Sequence, residues 1–391
     1  MEDQQQLDEQ KPKDRAPWFY LLFFLATVAT TTLAGAEWIT GKYLGAAESN
    51  FGWDEVLLGF QFSIPFLTVL TCHEFGHYFT AKWHKAKTSL PLYLPFWLGF
   101  IPMPSIGTFG AFIRIQSALK SRKEYFDIGV AGPIAGFIVA ILLLFYGFTH
   151  LPTLEYLFQI HPEYAKYGAD YANHVYAENQ GGLNLKIGSN LTFLFFEKFV
   201  VADASLIPNS YEMMHYPFLF AGYLALFFTS LNLIPVGQLD GGHVMYGLFG
   251  FRNHAIISPV LFIAFVFYAG LGQVSPFEVE YDPHAMTKIS ENLLHFGILY
   301  FSVSRVLPGT LNTVALALAI FAVQYVLAIF FPTLIGYSGW TIFGLVLGRF
   351  LGVYHPPSAD ESPLDIKRKL IGWLAVLIFI VSFSPNPFEF E

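Results

Sequence analysis

Long apolar runs separated by short polar breaks dominate the chain. Residues 1–17 are polar, with Lys11, Lys13 and Arg15 just ahead of the first apolar run, Trp18 to about Ala36. Ala34-Gly35-Ala36 resembles a signal-peptidase site, but the leader is long and mixes acids with bases, so an uncleaved signal anchor is expected. The loop 37–54 has one basic residue, Lys42, against Glu37, Glu48, Asp54 and the adjoining Glu55. The positive-inside rule then puts the N-terminus in the cytoplasm. A second span, 55–81, returns and ends in Lys82, Lys85 and Lys87.

Residues 88–118 are apolar but broken by Pro91, Pro95, Pro102, Pro104, Gly99, Gly107 and Gly110, and they start and finish among positive charges. Such a segment is predicted to be re-entrant, with irregular backbone lining a cavity or buried in protein; a loop lying on the bilayer is the alternative. Its end, Ala111 to Gln116, alternates like a strand. A third span runs from Phe126 to Phe148, with small residues Gly129, Ala131, Gly132, Ala135 and Gly136 suited to close helix packing. Residues 149–215 form an acidic polar insert expected on the outer side as a cap or a pair of short helices. Further runs follow at 217–235, 256–272, 289–305, 310–332, 339–354 and 370–384. Arg305 and Lys367-Arg368-Lys369 fall inside on this count, and Glu278, Glu280 and Asp282 outside, which puts the C-terminal Asn386 to Glu391 outside. The prediction is an all-α polytopic membrane protein of about eight to nine spans with a small re-entrant β-strand and loop segment. Its divisions are a leader (1–17), a first span and outer loop (18–54), a core (55–255) and additional C-terminal helices (256–391).

Composition agrees. The chain of 391 residues is 54% hydrophobic and 13% charged, where soluble domains carry about 25% charged residues. The net charge of −8 does not suggest nucleic acid. The one cysteine, Cys72, excludes an intramolecular disulfide, and on the residue before a histidine it points away from that histidine's face, which suits packing.

The chemistry concentrates at Thr71 to Tyr78. His73 and His77 are four residues apart, on one face of a helix and close enough to share a metal ion. Glu74 follows the first histidine directly, completing the H-E-x-x-H pattern of two imidazole ligands and a carboxylate base. Ionisable residues in an apolar span are costly and are functional candidates by default. Two histidines do not fill a catalytic zinc site, which usually has three protein ligands. Asp240, past Pro235 and Gly237 and before Gly241-Gly242, lies at the matching depth and side. A helix-capping turn is its alternative role, and His243, His84 and His254 are rival ligands.

His73-Glu74-Phe75-Gly76-His77 on one span and Asn232-x-x-Pro235-x-x-x-Leu239-Asp240-Gly241 at the end of another resemble the site-2 protease family of intramembrane zinc metalloproteases. Gly107-Thr108-Phe109-Gly110-Ala111 and Asp127 to Pro133 resemble its branch without a PDZ domain, shared by bacteria and chloroplasts. The resemblance covers about residues 55–250. It implies that His73, His77 and Asp240 hold one zinc per chain and that Glu74 is the catalytic carboxylate. It also implies that the re-entrant segment, with Gly107, Gly110 and Phe112, presents a substrate strand near Asn232. Gly237 is a departure, since many members have proline there. The expected partners are a transmembrane protein substrate and the lipid bilayer. The expected setting is a bacterial plasma membrane, with the active site toward the cytoplasm. A zinc-binding transporter or a non-catalytic scaffold is the alternative function; a transporter needs no Glu74 and usually shows inverted repeats, which do not stand out here.

Overall fold

The computed structural model describes residues 15–45, 50–99, 105–176, 185–277 and 284–390. The leader through residue 14, Glu48, Pro102, Pro104, Glu278, Glu280, Asp282 and Glu391 lie outside them. The chain divides into two compact units: residues 1–118, 131–229 and 387–391 form the first, and 119–130 and 230–386 the second.

In the first unit, α1 (Pro17–Thr40) starts on Pro17, whose missing N–H is no loss at a helix start. It ends at Gly41, which has a φ of +67° and donates its N–H to the Glu37 carbonyl. α2 (Trp53–Trp83) packs on it through small residues. A Cβ on Gly59 would lie 2.0 Å from the Thr32 carbonyl oxygen, and the Thr32 and Ser63 hydroxyls meet at 2.8 Å. Large apolar side chains such as Leu57, Ile64, Leu142 and Phe145 are exposed instead. Small residues at the helix contact and large apolar ones on the exposed flank suit helices solvated by lipid, where close backbone packing replaces a hydrophobic driving force between helices.

The segment expected to be re-entrant holds an antiparallel pair of strands, β1 (Leu92–Pro95) and β2 (Thr108–Phe112), with Leu92 opposite Phe112 and Tyr93 opposite Ala111. The strand therefore begins earlier than the alternation over 111–116 suggests and ends at Phe112; beyond it one isolated bridge joins Thr88 and Ile115. Glycine spacing conceals the strand, because Gly107 and Gly110 hold φ of +82° and +103°. Gly107 also seats the hairpin on α1. A Cβ there would lie 2.3 Å from the Thr31 Cα, and the Thr30 hydroxyl donates to the Gly107 carbonyl at 2.7 Å.

α3 (Arg122–Thr149) leads into the polar insert. Its described part holds α4 (Leu154–Ile160), a 3-10 stretch at Pro162–Asp170, α5 (Tyr171–Val175), β3 (Leu185–Ile187) and α6 (Leu191–Phe199). α7 (Pro217–Asn232) follows. The tail returns here: β4 (Phe388–Phe390) pairs antiparallel with β3, and the buried Tyr223 hydroxyl donates to the Pro387 carbonyl at 2.8 Å. The insert and the tail are thus joined through β3 and β4. Phe62, Phe193, Phe220 and Tyr223 centre the core of this unit.

The second unit holds α8 (Asp240–Ala269), α9 (Ala285–Val303), α10 (Thr310–Phe330), α11 (Gly339–Val346) with a π-helical turn after it, and α12 (Ile366–Ser382). The apolar run at 256–272 falls in one candidate span, as expected. It is the C-terminal half of α8, which changes direction at Gly250, φ +79°. Among the described residues five helices are long and apolar enough to cross a membrane: α1, α2, α3, α8 and α10. α7 and Gly339–Leu351 are apolar but shorter. α9 carries Lys288 and Glu291, and α12 has 17 residues and opens on Lys367-Arg368-Lys369. The protein is a mostly helical integral membrane protein. The expected eight to nine spans reduce to five by these criteria because its later runs are cut short or charged at one end.

Gly59→Val should separate α1 from α2. Thermal unfolding in detergent should show a loss of at least about 1–3 kcal/mol, while Ile64→Val on the exposed side should stay within about 0.5 kcal/mol. An unchanged midpoint for Gly59→Val would mean that the two helices do not pack this closely.

Candidate metal centre

Helical spacing delivers what the motif asks for in the first unit. His73 and His77 are successive turns of α2, and their Nε2 atoms lie 3.0 Å apart with the ring planes at 74°. Two imidazole nitrogens bound to one tetrahedral zinc at about 2.0–2.1 Å would be about 3.3 Å apart. The pair therefore needs to open by only a few tenths of an ångström. Glu74 is buried alongside, at 5% exposure, with His73 at 6% and His77 at 7%. Cys72 is half-buried.

The room for the imidazoles comes from α3. A Cβ on Gly132 would lie 2.2 Å from His77 Nε2, and one on Gly136 would lie 3.3 Å from the His73 Cβ. In the other direction, a Cβ on Gly76 would meet the Ala131 carbonyl oxygen at 2.6 Å. The small-residue pattern of the third apolar run thus has a specific purpose: each helix omits side chains where the other approaches. The hairpin reaches the same stretch of α2 through Tyr93, whose hydroxyl meets that of Thr71 at 2.8 Å. Gly110 faces open space, and Phe112 is 47% exposed. Gly107, by contrast, is accounted for by its seat on α1.

In the second unit, Asn232 closes α7 half-buried, and Asp240 is the first residue of α8. Leu239 holds the capping position, so a helix cap does not explain Asp240. Its two glycines are explained by the preceding loop, which folds back over this first turn. A Cβ on Gly241 would lie 2.0 Å from the Leu233 carbonyl oxygen, and one on Gly242 would lie 2.2 Å from that of Gly237. Gly237 has a φ of +62°, which proline cannot adopt. Its N–H donates to the Ser258 hydroxyl at 2.9 Å, which in turn donates to the Val353 carbonyl at 2.6 Å. The departure from the family pattern at this position is therefore a differently built turn.

Of the rival histidines, His243 has a partner of its own. His243 Nδ1 lies 2.8 Å from His355 Nε2. His355 Nδ1 lies 2.6 Å from the Pro356 carbonyl, which can only accept, so the proton sits on that nitrogen and His243 Nδ1–H is the donor of the pair. His254 is buried, and neither ring nitrogen has a hydrogen-bond partner among the described residues. His84 is half-exposed at the C-terminal cap of α2. Sequence reading missed His355 and Arg368. The Arg368 guanidinium makes two 2.8 Å bonds to the Asp127 carboxylate at the start of α3. Each pair is separated by more than a hundred residues, so no local pattern could signal it.

Two imidazole nitrogens that converge on one point make a donor pair suited to zinc, with the Glu74 carboxylate buried beside them. Gly132→Ala should push the His77 ring away. Elemental analysis of purified protein should show most of the metal lost, with the variant still monodisperse in detergent. Full metal retention would show that the glycine face is not what admits the ring.

Peptidase family M50 matches residues 61–271, more than half of the chain. Among curated proteins, the chain is 30% identical over 190 residues to a probable chloroplastic zinc metalloprotease, EGY1, of Oryza sativa subsp. japonica, covering 47% of this chain and 27% of that protein. Its Arabidopsis thaliana counterpart is 30% identical over 184 residues, covering 47% and 28%. A probable chloroplastic zinc metalloprotease EGY3 of Oryza sativa subsp. indica is 28% identical over 252 residues, covering 62% and 37%. The chain thus spans about a quarter to two fifths of the length of the relatives it matches. No solved structure matches. The histidine pair, the glycines around it and the extent of the family match agree: the chain belongs to peptidase family M50.

Proposed function

We propose that the protein is an intramembrane zinc metalloprotease that hydrolyses a peptide bond in or near the transmembrane segment of membrane-protein substrates. The observation that carries this reading is the convergence of the His73 and His77 Nε2 atoms, 3.0 Å apart, beside buried Glu74 within a helix apolar enough to cross a membrane. His73, His77 and Asp240 would hold one zinc. Zinc in that position would supply Lewis acidity, making water acidic enough to be deprotonated at neutral pH and drawing electrons from a carbonyl. Glu74 takes the proton from the attacking water and later gives it to the departing amine nitrogen. The names of the relatives, zinc metalloproteases, support the same chemistry.

A peptide bond in a transmembrane helix is shielded by its own hydrogen bonds, so the substrate must unwind locally. β2 belongs to a two-stranded sheet and pairs with β1 along one edge. We assign its other edge to the unwound substrate, by strand addition, with Gly110 and Phe112 beside it. Lys82, Lys85 and Lys87 follow the motif, and Lys120, Arg122 and Lys123 open the next helix. These charges support a site toward the basic side of the membrane, which in a bacterial plasma membrane would be the cytoplasmic side.

Glu74→Gln should keep the zinc and reduce cleavage of a generic transmembrane substrate by about 100-fold or more. Asp240→Ala should weaken zinc retention and also abolish cleavage. Both are read by zinc content and cleavage side by side in detergent. Retained cleavage in Glu74→Gln would sink the base assignment, and full zinc affinity in Asp240→Ala would remove Asp240 from the ligand set.

A further inference from the structure

A second convergence of metal-type donors lies in the polar insert. His161 follows α4, while Glu212 and His215 lie in the turn just before α7. His161 Nε2 is 3.2 Å from His215 Nε2, His215 Nε2 is 3.4 Å from Glu212 Oε2, and His161 Nε2 is 3.9 Å from that same oxygen. All three belong to the first unit. His73 packs at Gly136 of α3, and the insert leaves α3 only at Thr149. Thirteen residues of helix, about 20 Å, therefore separate this cluster from the H-E-x-x-H histidines.

The outer nitrogens and oxygen of the cluster are already committed. His215 Nδ1 lies 3.0 Å from the Ile39 carbonyl, which can only accept, so Nδ1 carries the proton and Nε2 presents its lone pair inward. His161 Nδ1 lies 3.3 Å from the Glu163 carboxylate, which fixes its tautomer in the same way. Glu212 Oε1 accepts a hydrogen bond from the Tyr176 hydroxyl, leaving Oε2 for the centre. Three lone pairs thus face one point. The Glu212 side chain is 1% exposed and that of His215 is 6%. Among the described residues, the two imidazoles are the only ion-pair partners of Glu212. Burial raises the pKa of the Glu212 carboxyl, so its ionised form calls for a cation at this point. Donor separations of 3.2–3.9 Å bracket the roughly 3.3 Å expected around a tetrahedral zinc.

We propose that His161, Glu212 and His215 form a second metal site, taking zinc or another divalent transition cation with imidazole and carboxylate preference, that clamps the polar insert to the end of α1. The clamp acts through the ligands' outer bonds. His215 is tied to Ile39 and its ring rests against Gly41, while Glu212 is tied to Tyr176 at the end of α5. This inference does not rest on the proposed protease function.

The test uses the full-length protein in detergent, stripped with a chelator, reloaded with zinc alone and freed of excess. Zinc per chain is measured for the wild type, His73→Ala/His77→Ala, His161→Ala, and the combination of all three substitutions. The expected values are two, one, one and none. A single zinc in the wild type, lost in His73→Ala/His77→Ala and kept in His161→Ala, would overturn the second site. A single zinc with the opposite dependence would uphold it and count against the H-E-x-x-H site instead. His161 is one quarter exposed, so His161→Ala should fold; its apo melting temperature should match the wild type while the rise on adding zinc is reduced. An equal rise in both proteins would also overturn the proposal.

Discussion

Two imidazoles can meet at a point inside an apolar bundle only where the neighbouring helix gives up its side chains. Gly132 and Gly136 of α3 meet that condition, and Gly76 of α2 returns it by admitting the α3 backbone. Lipid provides no hydrophobic drive for helices to associate, so the approach depends on van der Waals fit, which a single methyl group would spoil. The same economy holds the hairpin on α1 at Gly107 and holds α1 on α2 at Gly59. The first unit is in this sense a set of backbones brought close enough for a few polar side chains to be placed accurately.

The Asp240 turn follows a different rule. There the chain folds back on itself, and Gly237, Gly241 and Gly242 are needed because carbonyl oxygens occupy the places of their missing side chains. Distant segments brace the turn. Ser258 and Val353 hold Gly237, His355 holds His243, and the Arg368–Asp127 pair joins α12 to the start of α3. Residues beyond 255, to which sequence gave no function, thus supply much of the scaffolding around a residue it singled out.

Legibility follows the distance over which an interaction acts. His73, Glu74 and His77 are four residues of one helix, and their geometry is fixed by its period, so reading them needs no tertiary knowledge. The hairpin was half legible: proline and glycine marked it as irregular, but its strand hid behind Gly107 and Gly110, whose φ values only the fold reveals. The run at 256–272 shows only the part of α8 beyond its kink at Gly250, because the glycine-rich turns before the kink dilute the apolar pattern. Pairs such as His243 with His355 and β3 with β4 join segments over a hundred residues apart and leave no periodic trace.

The pairing of β3 with β4 gives the chain an insertion topology. It begins in the first unit, enters the second twice, at 119–130 and 230–386, and comes back to place Pro387 and β4 in the first again. The second unit is tethered at both ends, which lowers the entropy its unfolded segment can gain. A minimal version cut at the end of the family match, residue 271, would therefore be no smaller enzyme. It would strip β3 of its partner strand, leave the buried Tyr223 hydroxyl without the Pro387 carbonyl, and remove the braces of the Asp240 turn at once.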